Sequence, residues 1–307
     1  MVNKPSAEQP GYLTLLTDGL LAERAKTAYL HLKACDVCPR NCGADRLAGE
    51  LGACQTGARA LISSYGAHHG EERPLSGWRG SGTIFFGGCN QSCKFCQNAD
   101  ISQFANGRAM EAKYLAGVML DLQTQGCHNI NFVSPSHVVP QILEAVLIAA
   151  HKGLTLPLVY NSGGYDSLAM LVLLDGVVDI YMPDMKYSDE GIARKYSGIM
   201  DYPRVNQEAV KAMHRQVGDL QLNQEGLAYR GLLVRHLVLP HGLAGSKDVF
   251  SFLAEKVSKN TYLNVMAQYH PAYQARAYPE LSQGLDGETY HQALADAKEA
   301  GLTRLDH

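Results

Sequence analysis

The sequence predicts an α/β fold, a partial (β/α)6 barrel with a small N-terminal Cys-rich lobe. Three observations lead there. From residue 82 onward, short apolar runs alternate with helical stretches, the pattern of parallel strands with helices outside. Six such units occur, where a closed barrel of this type uses eight. Upstream, residues 33–80 hold few periodic segments and are rich in Cys, Gly and Arg, as expected of a small lobe stapled by metal.

Element by element, residues 1–10 are polar, proline-marked and expected to be loose. Residues 19–32 read as a packing helix with Leu21, Ala25, Ala28 and Leu32 on one face. Strands are expected at 83–86, 129–133, 156–160, 177–182, 232–239 and 262–268. Helices are expected at 113–125, 140–151, 167–174, 206–217 and 247–257. The first of these carries Leu115, Val118, Met119 and Leu122 on one side and stops at Gly126, a C-cap residue. Residues 219–231 read as a hairpin or loop insert, and the tail carries a helix near 288–300. The expected division is residues 1–79 for the N-terminal helix and cysteine lobe, 80–270 for the barrel and 271–307 for the tail.

Composition narrows the function. The 307 residues are 46% hydrophobic and 19% charged, with net charge −3. Binding to nucleic acid normally needs a clustered basic face, so none is expected. No apolar run reaches the length of a membrane span. The start has no apolar signal region, so a cytoplasmic location is expected.

Seven of the eight cysteines fall within residues 35–96, in two tight groups. Without a secretory leader this reads as metal binding and not as a disulfide framework. Thiolates select zinc or iron–sulfur centres. Cys89, Cys93 and Cys96 follow C-x3-C-x2-C spacing within Gly80–Asn98, directly after the first barrel strand. Chemistry on such barrels gathers at the C-terminal strand ends. Three thiolates around a [4Fe–4S] cluster leave one iron without a protein ligand, whereas electron-transfer clusters use four. An open iron can chelate the amino and carboxylate groups of S-adenosylmethionine. A zinc knuckle with a fourth ligand elsewhere is the alternative.

With this loop, Gly80–Phe86 and Gln97-Asn98, the chain resembles the radical S-adenosylmethionine superfamily over about residues 30–270, and within it the subgroup related to pyruvate formate-lyase activating enzyme. The resemblance implies an oxygen-sensitive oxidoreductase that cleaves S-adenosylmethionine reductively to a 5′-deoxyadenosyl radical for hydrogen abstraction. It also implies an electron donor such as flavodoxin or ferredoxin. The target is a glycyl-radical protein or, alternatively, a small metabolite or peptide. A non-catalytic iron–sulfur or zinc scaffold is the reading from outside enzymology.

The resemblance also marks rim residues as cofactor contacts, with no side chain assigned a catalytic step of its own. Asn98 closes the loop. Where the family has a Gly-Gly-Glu-like segment, this chain has Val133-Ser134-Pro135-Ser136-His137, lacking the carboxylate but offering Ser134, Ser136 and His137. A satisfied structural role is the alternative for His137. Asn161, in Asn161-Ser162-Gly163, is similar to a Thr-Asn-Gly segment, and Asp184-Met185-Lys186 to an Asp-x-Lys strand end. A surface ion pair is the alternative for Asp184 and Lys186. In the fifth strand, alternation lets only one of Arg235 and His236 face the interior, and Arg235 is the expected carboxylate contact. His270, after Gln268-Tyr269, resembles a Pro-Tyr-His ending.

Cys35, Cys38, Cys42 and Cys54 follow C-x2-C-x3-C-x11-C, a closed four-thiolate set for zinc or a second cluster, which spacing does not separate, with reduced thiols free of metal as the remaining alternative. The arrangement differs from the eight-cysteine insert of many glycyl-radical activases. His68, His69, Glu71 and Glu72 lie in the link between lobe and barrel, expected to pack there or approach the site. Cys127 reads as a small buried apolar residue.

Overall fold

The computed structural model of the chain describes residues 8–306; most of the 1–10 stretch therefore lies outside the described residues. The strands are β1 (Ala60–His68), β2 (Ser81–Phe86), β3 (Arg108–Met110), β4 (Ile130–Val133), β5 (Leu158–Ser162), β6 (Ile180–Pro183), β7 (Gln221–Leu222), β8 (Ala228–Leu237) and β9 (Tyr262–Met266). β2, β4, β5, β6, β8 and β9 run parallel, in that order across the sheet. These are the six strands the alternation predicts. β1 and β3 extend the sheet antiparallel beyond β2, and β7 pairs antiparallel with β8. The barrel is open: among the described residues β9 pairs with β8 and does not close onto β2.

The local reasons are visible in the side chains. Parallel strands are covered on both faces, so they run apolar instead of alternating. All five residues of β5 are buried, and Tyr160 meets Tyr181 of β6 edge to face at 5.7 Å. Helix Val139–His151 follows β4 with Pro140 in its first turn, where a missing N–H costs nothing. It packs between helices Ala112–Thr124 and Leu20–Leu30. One apolar core joins these helices to Ile84, Phe86, Phe132 and Leu232 of the sheet. At the N-terminal strand ends, buried Asp179 accepts hydrogen bonds from the amides of Leu158 and Gly11, both at 2.9 Å. Burial raises its carboxyl to about 7.

Several elements have no counterpart in the sequence reading, β1 and two short helices among them. β1 lies in the segment that looked unstructured; its outer half is largely exposed, so it carries only a weak apolar signal. Helices Gly11–Thr17 and Glu190–Ser197 span seven and eight residues, too few turns for a clear periodicity. The 219–231 insert is a hairpin, and its second arm is already β8.

Candidate metal centre and ligand cavity

The three-cysteine loop leaves β2 at Gly87 and is tied down on both sides. Asn90 Nδ2 donates to the Tyr165 carbonyl at 2.7 Å, and Gln91 Nε2 to the Gly163 carbonyl at 2.8 Å. A side chain at Gly163 would run into Gln91. The amides of Ser92 and Lys94 donate to the carbonyls of Ser197 and Tyr196, at the end of helix Glu190–Ser197. Asp189 caps that helix, accepting from the Ile192 amide at 2.8 Å. Phe95 is buried against Tyr187 and Tyr269, with ring centres 6.4 and 5.9 Å away. Cys93 Sγ lies 3.0 Å from Ser197 Oγ, and Cys96 Sγ 3.1 Å from Ser102 Oγ. Burial, then the neighbouring Cys93, pushes the Cys89 thiol up to about 12. Metal loading would therefore release protons there.

All three cysteines face one cavity of about 250 Å³ at the C-terminal ends of the strands. Its wall includes Asn98, Ser134, Ser136, Asn161, Asp184, Lys186 and Arg235 from the predicted set. Asp184 is held between two cations: Lys186 Nζ at 2.5 Å and Arg235 Nε at 2.9 Å. Arg235 Nη2 also donates to Asn161 Oδ1 at 2.8 Å. Burial opposes the charge on Asp184, but Arg235 and Lys186 outweigh it and leave its carboxyl below the usual range. Lys186 is shifted up for the reciprocal reason: burial disfavours its charge, and Asp184 more than compensates. The alternation argument holds for β8. Arg235 turns to the cavity, while His236 turns away to the Met185 carbonyl and Ser246, at 2.6 and 2.9 Å, beside Phe250.

Two predicted residues stand apart. His137 is buried behind the loop, with Nε2 3.0 Å from the Gly87 carbonyl, and it lines the space among the four upstream cysteines instead. His270 is exposed beyond the cavity wall, 3.3 Å from Gln97 Nε2. Ser136 lines the cavity but its Oγ already donates to Asp166 at 2.6 Å. Asp166 was missed by sequence reasoning. It is buried, raised by that burial, and takes further hydroxyls from Ser162 and Tyr160 at 2.6 and 2.9 Å. Its partners come from two strand ends, so no local spacing announces it. Gln91, Gln97, Gln103 and Gln268 also line the cavity. Glu72 accepts from Asn264 Nδ2 at 3.0 Å, and burial raises Glu71 beside it to about 7. Cys127 is buried, as its apolar neighbours suggest.

Residues 76–163 match the family described as a 4Fe–4S single cluster domain. That match spans the three-cysteine loop, so this stretch of the open α/β partial barrel is similar to an iron–sulfur domain. The chain belongs to the family of an uncharacterized protein of Methanocaldococcus jannaschii, to which it is 30% identical over 298 residues, 94% of this chain and 82% of that protein. Two solved structures show a distant likeness. SuiB of Streptococcus suis, bound to precursor peptide SuiA, gives a TM-score of 0.48 at 10% identity, covering 71% of this chain and 45% of that one. A radical SAM methyltransferase from Sphaerobacter thermophilus gives 0.47 at 13%, covering 72% and 64%. The chain thus spans less than two thirds of either protein. Among the described residues no helix is long and apolar enough to cross a membrane.

Proposed function

We propose that this chain is a radical S-adenosylmethionine enzyme whose Cys89, Cys93 and Cys96 ligate a [4Fe–4S] cluster with one iron left for the substrate. One observation carries the reading. The cavity wall supplies three thiols and, among the described residues, no histidine; its one carboxylate, Asp184, is already held by Lys186 and Arg235. The donor set fits a site-differentiated cluster and leaves a fourth position facing the cavity. When bound, the cluster and S-adenosylmethionine supply reductive cleavage of a sulfonium C–S bond and hydrogen abstraction.

The chain's own residues do the rest. Lys186 and Arg235, pre-aligned by Asp184, are positioned to attract a ligand carboxylate without moving. Asn98, Asn161 and the amide side chains of Gln97 and Gln268 offer donors and acceptors for the amino group and ribose. Asp166 holds Ser136 and Ser162 in place behind them. His137 and His270 have no direct contact in this scheme.

The hydrogen donor, on this reading, is a glycine in a partner glycyl-radical protein. Phe104 and Tyr273 support a macromolecular partner: both are exposed, they meet edge to face at 6.0 Å, and Phe104 follows Gln103 at the cavity wall. Exposed aromatics of this kind serve as interface anchors. The class is tested by anaerobic reconstitution with iron and sulfide, then dithionite reduction with S-adenosylmethionine. Formation of 5′-deoxyadenosine is expected, with loss on replacing Cys89, Cys93 or Cys96 by Ala. No product from a cluster-loaded protein counts against it. The partner is tested by glycyl-radical signals in candidate proteins mixed with the loaded enzyme; a small-molecule or peptide product in their place would redirect it.

A further inference from the structure

The upstream cysteines form a second site with its own geometry. Cys35, Cys38, Cys42 and Cys54 line one common space together with Arg46 and His137. Four cysteine thiols are the donor set of a fully protein-ligated [4Fe–4S] cluster.

The second observation is a buried charge. Arg46 is 1% exposed. Its guanidinium donates to the carbonyls of Gly57 and His137 and lies 3.7 Å from Cys35 Sγ, with no carboxylate partner among the described residues. A buried cation without a counter-ion is costly. Thiolates bound to metal supply the missing negative charge beside it.

The third is where the ring sits. Arg40 Nε donates to the Asn90 carbonyl at 2.8 Å, and Gln55 Nε2 to the Gln103 carbonyl at 3.1 Å. Gly88, next to Cys89, has φ 80°, and any side chain there would run into the Cys54 carbonyl. The upstream lobe is therefore docked directly on the loop that carries the other three cysteines.

We propose that Cys35, Cys38, Cys42 and Cys54 hold a second [4Fe–4S] cluster, with Arg46 as its buried countercharge, that relays electrons to the three-cysteine centre. A reduced one-electron donor protein of the flavin or iron–sulfur class loses one electron to it. The second cluster is reduced by one and returns to its starting state as that electron passes on. No bond or proton changes hands. The relay rests on the cluster reading of the three-cysteine loop; the metal assignment does not.

The test uses the full chain carrying Cys89→Ser, Cys93→Ser and Cys96→Ser together, reconstituted anaerobically with iron, sulfide and zinc all present. About four irons and four sulfides per chain, with a dithionite-reducible paramagnetic signal, are expected. One zinc and no iron overturns the assignment. Should that variant fail to fold, the unaltered protein decides: about eight irons supports it and about four irons with one zinc overturns it. Arg46→Gln should lower the midpoint potential of the second cluster and Arg46→Lys restore it; an unchanged potential removes Arg46 as countercharge. With reduced flavodoxin as donor, Cys38→Ser should slow reduction of the three-cysteine centre at least tenfold while dithionite still drives S-adenosylmethionine cleavage. Equal rates with flavodoxin overturn the relay.

Discussion

At the scale of single residues the barrel rim is an electrostatic arrangement around Asp184. Its two oxygens are divided between Lys186 and Arg235, so each cation is oriented before any ligand arrives. Lys186→Met should weaken S-adenosylmethionine binding about tenfold or more, roughly 1.4 kcal/mol, in equilibrium dialysis of the loaded protein; unchanged affinity would remove Lys186 from the site. Asp184→Asn leaves two buried cations facing one another, and should lower unfolding free energy by about 3 kcal/mol in urea titrations. Glu71 sets a pH dependence of its own. Burial raises it from 4.5 to about 7, so the folded state holds a proton that the unfolded state releases across that window. The stability it contributes is complete below pH 4.5 and is lost as pH rises toward 7. Glu71→Gln should therefore gain on the unaltered protein by a few kcal/mol between those limits, measured by denaturant unfolding at each pH. A constant difference would mean that Glu71 titrates normally. Arg235 was legible at this scale because strand alternation allows only one face, whereas Asp166 and Arg46 were not: the links from Asp166 to Ser136 and from Arg46 to His137 join residues distant in the chain.

At the scale of elements, helix Glu190–Ser197 clamps the cysteine loop through Ser197 and Tyr196. Removing its cap with Asp189→Ala should cost about 1 kcal/mol of local stability. The iron–sulfur absorbance should then bleach faster under a chelator, with little change in initial iron content; equal bleaching would show that the loop holds itself. The six parallel strands could be read from sequence because burial on both faces favours apolar runs, as in Leu158–Tyr160. β1 could not, because a strand largely exposed along half its length carries a weaker pattern than its hydrogen bonds to β2 and β3 would suggest. The clamp helix was hidden for a related reason: two turns with charged residues at 190, 194 and 195 read as a loop. The cysteine loops were legible by ligand chemistry alone, which needs no periodicity. That same chemistry left zinc and iron–sulfur open for the upstream set, since both accept four thiolates.

At the scale of the whole molecule, the parallel strands bring residues separated by up to 182 positions, Phe86 and Gln268, to one wall. The upstream lobe covers that wall from behind. Burial holds the Cys35, Cys38 and Cys93 thiols protonated, so metal binding should be coupled to the fold's stability. Stripping it with a chelator under reducing conditions should lower Tm by several degrees in anaerobic calorimetry; an unchanged Tm would assign stability to the barrel alone. The measurement closest to the heart of the account is electron–nuclear double resonance on the dithionite-reduced protein mixed with S-adenosylmethionine labelled with nitrogen-15 at its amino group. A coupling between that nitrogen and the cluster is the predicted result, and its loss in Cys93→Ala ties it to the three-cysteine loop. A loaded, reduced cluster that shows no nitrogen coupling at saturating S-adenosylmethionine would contradict the open iron.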